Sequence, residues 1–459
     1  FQDPVLDSLV DSAYQQNLTL RIAGLRILEA RAQRAMVAGE LFPQSQSAFG
    51  TYTRTGLRKN SLTGQFFNRF RGEWTLGASM AWELDFWGRF RRAIEAADAN
   101  LDASIENYDD VLVLLLADVA RSYTDVRIAE GRLAYAHQNV EIQKGSLQLA
   151  EVRFKEGATT RLDVTQGQSS VAQTEASIRP LESARRQAVN QLCILLGMPP
   201  QSLDHMLAAQ KGIPHAPAQV AVGIPAELLR RRPDVRRAER EVAAQSALIG
   251  VATSDLYPHF SISGTIFFDA LQFKDLLNLD SIAGNVGPAF HWDILNYGRL
   301  VNNIRVQESR FQQLAVQYQD TVLRANAEAE DAIISFLKAQ QQAQSLGQSA
   351  DAARESVDLV MLQYREGKVD FGRVFINQEY LTQQQDQLAI AQGAVAQNLI
   401  QLYKALGGGW QVRLNSFLPP PPAAPEQPAE PVPAPEPAPP PQPAAPPAQP
   451  APPPAVEQP

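Results

Sequence analysis

Few residues of this chain are of the types that build disulfide frameworks or membrane-spanning helices. The chain has one cysteine, Cys193, so an internal disulfide is excluded. This cysteine lies in an apolar helical stretch, where we expect it to be buried as a small hydrophobic residue. No run of about 18 apolar residues occurs among the 459 positions, which excludes a transmembrane helix of ordinary length.

The sequence also lacks the patterns of a nucleic-acid-binding protein and of an enzyme. A net charge of −8 disfavours a polyanion as partner, and acidic neighbours balance the arginines at 230–232 and 236–237. The five histidines have no metal-ligand spacing, and no nucleophile elbow, phosphate loop or paired-carboxylate site stands out. We therefore expect no catalysis, no cofactor, no metal and no nucleic-acid partner.

Proline is absent from two long stretches, 88–156 and 298–366, and each of them predicts one continuous helix. At a rise of about 1.5 Å per residue, such a helix is about 100 Å long. Each stretch ends at a glycine and a second helical stretch follows, so we expect two helical hairpins that pack as coiled coils. Proline instead dominates the tail, 413–459, which cannot bury apolar surface and is expected to be disordered.

The chain contains two copies of one unit, because several short motifs recur at a constant offset of 210 residues. The recurring positions are Gly88 and Gly298, Gly157 and Gly367, Gly197 and Gly407, and Trp82 and Trp292. The first repeat, 1–220, is predicted to hold strands at about 44–55 and 73–87, a helical hairpin at 88–196 and an equatorial segment. The second repeat, 221–412, is predicted to hold strands at about 259–270 and 285–294 and a hairpin at 298–406.

The predicted strands have the pattern of membrane-spanning β-strands. In 73–87, large apolar residues alternate strictly with small or polar residues. The runs are about 10 to 13 residues long, as a tilted transmembrane strand requires. Aromatic residues at their ends predict an interfacial girdle. The predicted girdle residues are Trp74, Trp82, Phe86, Trp87 and Trp292. A soluble β-hairpin is the alternative, but the neighbouring segments offer no sheet against which it could pack.

Four strands per chain require an oligomer. A sheet in lipid must close on itself, because an open edge leaves backbone groups unpaired. Membrane barrels begin at eight strands, so several chains must contribute strands to one barrel.

Three sequence blocks carry a family resemblance. They are 82–89 (WELDFWGR), 224–240 (IPAELLRRRPDVRRAER) and 403–410 (YKALGGGW). On these blocks the chain resembles the TolC-like outer-membrane factors, and more closely their OprM-like multidrug-efflux branch. The resemblance implies a mixed α/β, mostly helical homotrimer. Four strands per protomer, twelve in total, would form an outer-membrane β-barrel that a long periplasmic α-helical barrel continues.

The resemblance also implies a function and a location. Such proteins lie in the outer membrane of Gram-negative-type bacteria, in contact with its lipid, and extend into the periplasm. They passively conduct small toxic compounds that an inner-membrane pump, here of the resistance-nodulation-division type, delivers through a periplasmic adaptor. The alternatives are a duct for type I protein secretion and a periplasmic coiled-coil scaffold. Members carry a signal peptide and often a lipidated N-terminal cysteine, so we expect a further piece to precede Phe1.

The turns of the two hairpins are expected to form a periplasmic tip that closes the channel. By resemblance, Asp163 and Tyr364 match the family's gate aspartate and tyrosine. The family's second-repeat aspartate falls on Ile376, so we expect a different set of ion pairs, with Asp163 bound to Lys368, Arg365 or Arg373. The predicted gate residues are Asp163, Tyr364, Arg365, Lys368, Asp370 and Arg373. The predicted adaptor contacts are Arg153, Lys155, Glu156, Gly157, Glu366 and Gly367.

Overall fold

The computed structural model describes residues 1–58, 70–210, 212–217 and 231–417. The chain divides into two units, Phe1–Val412 and Arg413–Pro459. The predicted disordered tail lies almost wholly outside the described residues, as do the junction at 220–221 between the predicted repeats and part of the 224–240 motif. Among the described helices, none combines the length and apolar character needed to cross a bilayer.

Two long helical hairpins dominate the first unit, and their bounds repeat at an offset of 210. Within the described residues the helices, in chain order, are α1 (Pro4–Gln16), α2 (Leu18–Gly39), α3 (Arg89–Lys155), α4 (Arg161–Leu195), α5 (Asp204–Leu207), α6 (Pro233–Ser254), α7 (Arg299–Arg365), α8 (Phe371–Ala405) and α9 (Val412–Phe417). Both α3 and α7 have 67 residues, and both α4 and α8 have 35. The glycines at the hairpin turns, Gly157 and Gly367, adopt φ of 73° and 74°, a left-handed conformation that favours glycine.

The strands form one antiparallel sheet in the order β1-β2-β3-β4. They are β1 (Ser45–Gly56), β2 (Phe70–Leu84), β3 (His259–Ala270) and β4 (Ile282–His291). The alternation predicts strands at 73–87 and at about 285–294. In the structure, β2 and β4 each begin and end three residues earlier. The reason at β2 is that Asp85 accepts hydrogen bonds from the backbone N–H groups of Phe90 and Arg91, both at 3.1 Å. This carboxylate caps the start of α3, so the strand has to end before it.

The main core lies where α1 and α2 pack against α3 and α4. Leu9, Leu112 and Leu192 are fully buried there. Cys193 is fully buried in the same cluster, which confirms the prediction from its neighbours. Tyr123 donates a hydrogen bond of 2.7 Å to the Asp3 carboxylate. Burial, together with this hydrogen bond, raises the pKa of Tyr123 to about 12.

The arginine-rich block is part of the fold. Arg236 pairs with Glu106 of α3 at 2.5 Å, and Arg237 pairs with Asp110 at 3.4 Å. The guanidinium of Arg232 donates to the carbonyl of Ala405, at the end of α8, at 3.0 Å. These contacts join the start of α6 to both hairpins, so these arginines have structural partners within the chain.

In the first repeat, Asn17 takes the place of Arg232. Its side-chain amide donates to the carbonyl of Leu195, at the end of α4, at 2.8 Å. Leu195 and Ala405 are 210 residues apart, so the same cap closes the returning helix of each hairpin.

Candidate functional site: the channel wall and the hairpin tips

The β-sheet has one apolar face and one polar face. Strand register places Trp74, Leu76 and Met80 of β2 on the same face as Ile266 of β3 and Val286 of β4. Leu76, Met80, Ile266 and Val286 are exposed within a single protomer. Trp74 and Trp82 lie eight positions apart on this face, which is about 26 Å along a strand at roughly 3.3 Å per residue. This is close to the height of the apolar band of an outer-membrane barrel, about 25 Å.

The opposite face carries small polar and charged side chains. The hydroxyls of Ser47 and Ser79 lie 2.8 Å apart across β1 and β2. Next to this pair the face continues with Thr265 and Asn285 of the second repeat. A sheet with this asymmetry suits a barrel with lipid outside and water inside.

Most of the predicted girdle residues lie at the helical end of the sheet. The indole N–H groups there donate to backbone carbonyls where helix passes into strand: Trp82 to Leu41 at 3.1 Å, Trp87 to Pro258 at 2.9 Å and Trp292 to Leu256 at 3.0 Å. Phe86 and Trp87 follow the last residue of β2 and are exposed, and Trp74 lies at the opposite end of the sheet. Amphipathic rings in two bands suit two membrane interfaces, and their girdle role stays a prediction.

The hairpin tips are joined through a buried tyrosine. Tyr364 is 2% exposed and packs edge-to-face on Phe371, with ring centroids 5.5 Å apart. Arg153, at the end of α3, lies over the Tyr364 ring at 4.7 Å and donates a short hydrogen bond to the Tyr364 carbonyl. One arginine of the first hairpin therefore holds the tip of the second. Arg153 is half-buried by these contacts, and its role as an adaptor contact stays a prediction.

Asp163 and Tyr364, the predicted gate pair, lie near one another. Burial raises the pKa of Tyr364, and the charge of Asp163 adds to the effect, while Arg153 and Thr159 act in the opposite direction. The phenol oxygen is buried and has no hydrogen bond of normal geometry within the described part of the chain. In this conformation Asp163 therefore acts on the phenol through its charge and not through a hydrogen bond.

The ion pairs expected for Asp163 do not form within one protomer. Its carboxylate accepts a short hydrogen bond from the Thr159 hydroxyl and a longer one, 3.5 Å, from Thr160. Lys368 instead contacts Glu366 at 2.6 Å, two residues before it in the same turn. Asp370 caps the start of α8 by accepting from the backbone N–H of Arg373 at 3.1 Å. The hairpin turns thus satisfy these acids locally.

Several tip residues remain accessible. Within one protomer, the side chains of Arg365 and Arg373 are exposed and so available to a neighbouring chain. The exposed residues among the predicted adaptor contacts are Lys155, Glu156, Gly157, Glu366 and Gly367.

A polar seam between the hairpins was not foreseen from the sequence. Every seventh residue of α3 from Asp125 to Arg153 makes a hydrogen bond to the second repeat. The bonds join Asp125 to Gln397 at 2.5 Å, Arg132 to Asp386 at 2.6 and 3.1 Å, Asn139 to Gln385 at 2.9 Å, Ser146 to Gln378 at 2.6 Å, and Arg153 to the Tyr364 carbonyl. The heptad spacing of these polar residues is the signal that could have revealed the seam.

Comparison with known proteins identifies the family. The family model for outer membrane efflux proteins matches residues 9–198 and 224–408. The chain belongs to the outer membrane efflux protein family. It is 30% identical over 419 residues to Nodulation protein T of Rhizobium leguminosarum bv. trifolii, a match that covers 89% of this chain and 87% of the relative. It is also 30% identical over 417 residues to the pyoverdine export outer membrane protein OpmQ of Pseudomonas putida, covering 90% and 87% of the two chains.

Solved structures agree with this assignment. The outer-membrane channel OprN superimposes with a TM-score of 0.84 at 32% identity, over 89% of this chain and 91% of OprN. This outer membrane efflux protein is thus the outer-membrane channel component of an efflux system. Its fold is one protomer of a trimer, in which a β-barrel is continued by the helical hairpins. The family resemblance, the fold class and the outer-membrane location predicted from the sequence are confirmed.

Proposed function

We propose that this outer membrane efflux protein is a passive conduit for small compounds rather than a duct for polypeptides, and that it catalyses no reaction. The polar face of the sheet carries the proposal, because it gives the barrel a wall of small hydroxyl and amide groups. The similarity to a pyoverdine exporter supports a small-molecule cargo. Deletion of the gene should make the bacterium sensitive to small toxic compounds and leave polypeptide secretion unchanged. The reverse result would contradict the proposal.

We further propose that the exposed tip residues receive a periplasmic adaptor, which links the channel to an inner-membrane pump of the resistance-nodulation-division type. Lys155 and Glu156 of the first hairpin and Glu366 of the second support this, because they are charged and accessible at the turns. Photo-crosslinking from position 156 should capture the adaptor in cells. A crosslinker at position 338, on the middle of α7, is the matched control, and equal capture from both sites would argue against a tip contact.

We propose that the tip closes through contacts between protomers around Asp163 and Tyr364. Within one protomer the charge of Asp163 already acts on the Tyr364 phenol, and the exposed guanidinium groups of Arg365 and Arg373 are free to reach a neighbour's Asp163. Replacing Asp163 by Ala removes the acceptor, so single-channel conductance in a planar bilayer should rise.

The control for the tip variant is Asp351→Ala, which removes an exposed carboxylate from α7 away from the turns. Its conductance should equal that of the wild type. An Asp163→Ala channel that also conducts like the wild type would refute a gating role for this carboxylate.

A further inference from the structure

The connection between β3 and β4 exposes an unusual amount of apolar surface. Leu271, Phe273, Leu277 and Leu279 are between 58% and 79% exposed, in a segment that forms two short 3₁₀ turns, Phe273–Asp275 and Leu279–Ser281. This segment lies at the end of the sheet remote from the helices. A solvated loop has no reason to expose four large apolar side chains, whereas contiguous apolar surface of this kind marks contact with a membrane or a partner.

The first 3₁₀ turn folds back over the apolar face of the sheet and forms a cleft. The Phe273 ring packs edge-on against Trp74, with centroids 5.0 Å apart, and Tyr52 lies 4.4 Å from Trp74 on the other side. The volume of the cleft is about 520 Å³. Its apolar lining consists of Tyr52, Trp74, Leu76, Phe273, Leu276 and Leu277.

A glycine next to the cleft leaves room for the ring of Tyr52. A Cβ added at Gly72 would lie 2.8 Å from the Tyr52 hydroxyl oxygen, so a larger residue there would push the end of the tyrosine ring aside. The cleft is open to the outside of the sheet and is continuous with the face that carries Leu76 and Ile266. An apolar outer face of a membrane β-barrel faces lipid, so the cleft opens in the direction from which a lipid can enter.

Two cations stand at the outer rim of the cleft. Arg54 lies two positions beyond Tyr52 on the same face of β1, and its guanidinium is 5.6 Å from the centre of the Phe70 ring. Lys274 is exposed within the first 3₁₀ turn. Neither has an ion-pair partner in the described part of the chain. Cations above an apolar cleft at a membrane surface suit a phosphate group above an acyl chain.

We propose that this cleft binds one acyl chain of a phosphorylated lipid of the outer leaflet, with Arg54 and Lys274 in contact with its phosphate groups. The inference goes beyond the conduit function and rests only on the position of the sheet in the outer membrane. Asp275 and Asp280 lie on the same connection and would repel an anionic headgroup. A preference for such a headgroup therefore has to come from Arg54 and Lys274, which makes it a sharp test of the proposal.

Native mass spectrometry of the detergent-purified trimer tests the proposal. The probes are bis-phosphorylated lipid A, phosphatidylethanolamine and inorganic phosphate, each added at equal concentration. Lipid A should bind with up to three molecules per trimer and at least tenfold tighter than phosphatidylethanolamine. Inorganic phosphate should not displace it, because phosphate cannot fill the apolar cleft. Displacement by phosphate, or equal binding of the two lipids, would overturn the proposal.

Variants separate the headgroup contact from the acyl contact. Arg54→Gln with Lys274→Gln should remove the preference for lipid A, and Leu277→Ser should weaken both lipids alike. Lys338→Gln, at an exposed lysine of α7, should change neither. Unchanged bilayer conductance of each variant shows that its trimer is intact. If the double variant does not assemble, Lys274→Gln alone takes its place.

The remaining outcomes are also decisive. A wild-type trimer that binds no lipid at this end, with the cleft covered by the adjacent protomer or by another protein, refutes the inference. A wild-type trimer without conductance would contradict the conduit function, but its lipid binding could still be interpreted independently.

Discussion

The polar seam between the hairpins makes a quantitative prediction at Asn139 and Gln385. These two side chains are 2% and 3% exposed, and the Asn139 amide donates to the Gln385 oxygen at 2.9 Å. Replacing Asn139 by Ala leaves the Gln385 oxygen buried without this donor, which costs about 1 to 3 kcal/mol. Local separation of α3 from α8 therefore becomes about 5 to 150 times more frequent, since each 1.4 kcal/mol is a factor of ten.

Hydrogen–deuterium exchange of the detergent-solubilised trimer measures this separation directly. Peptides from α3 and α8 around the pair should exchange faster in Asn139→Ala by that factor. The double variant Asn139→Leu with Gln385→Leu removes both polar groups, so its exchange should return close to that of the wild type. Gln138→Ala is the control, because Gln138 makes an exposed contact of 3.2 Å to Arg354 on α7.

Either of two results would contradict the cost assigned to the buried pair. One is a double variant that exchanges faster than Asn139→Ala, which would mean that the polar pair is itself required for packing. The other is equal exchange in Asn139→Ala and Gln138→Ala, which would mean that burial of the pair contributes nothing.

Two further predictions concern the junctions between the repeats. Burial alone would raise the pKa of Asp234, but hydrogen bonds and attraction from Arg232 outweigh it and lower the pKa. A carboxylate with a lowered folded-state pKa adds stability above its ordinary pKa of 3.8 and loses it as the pH falls through the folded value. Thermal stability should therefore fall as the pH drops below 3.8, and less steeply in Asp234→Asn; parallel curves would contradict this role of Asp234. A Cβ at Gly393 of α8 would lie 2.1 Å from Ile128 of α3, so Gly393→Ala should destabilise the trimer by about 1 to 3 kcal/mol. Gly145→Ala, where nothing lies within 4 Å, should raise stability by about 0.5 to 1 kcal/mol, and thermal melts of the two variants that coincide would disprove the close approach.

The hairpins could be predicted from the sequence because their limits are local. Glycines such as Gly157 and Gly367 set the turns, and the constant offset of 210 fixed both copies together. The strand ends were less predictable. Alternation continues through Phe86, but the structure ends β2 at Leu84 because Asp85 is needed as the cap of α3.

The tip could not be predicted in detail, because its contacts depend on which turn residues meet. Several acids are possible ion-pair partners of Lys368 in the sequence, and the geometry of the turn brings Glu366 into contact with it. Arg153 appeared to be a surface charge, yet it lies on Tyr364, 211 positions away. The heptad of polar residues on α3 is visible in the sequence, but its meaning requires knowing that α8 lies opposite.

Three chains of this protein assemble one conducting channel across the outer membrane. The most direct test combines the mass of the detergent-solubilised complex, measured by native mass spectrometry, with its conductance in a planar bilayer. The account predicts the mass of three chains and discrete ion conductance that needs no energy source. A monomer that stays in solution without detergent and does not conduct would contradict it.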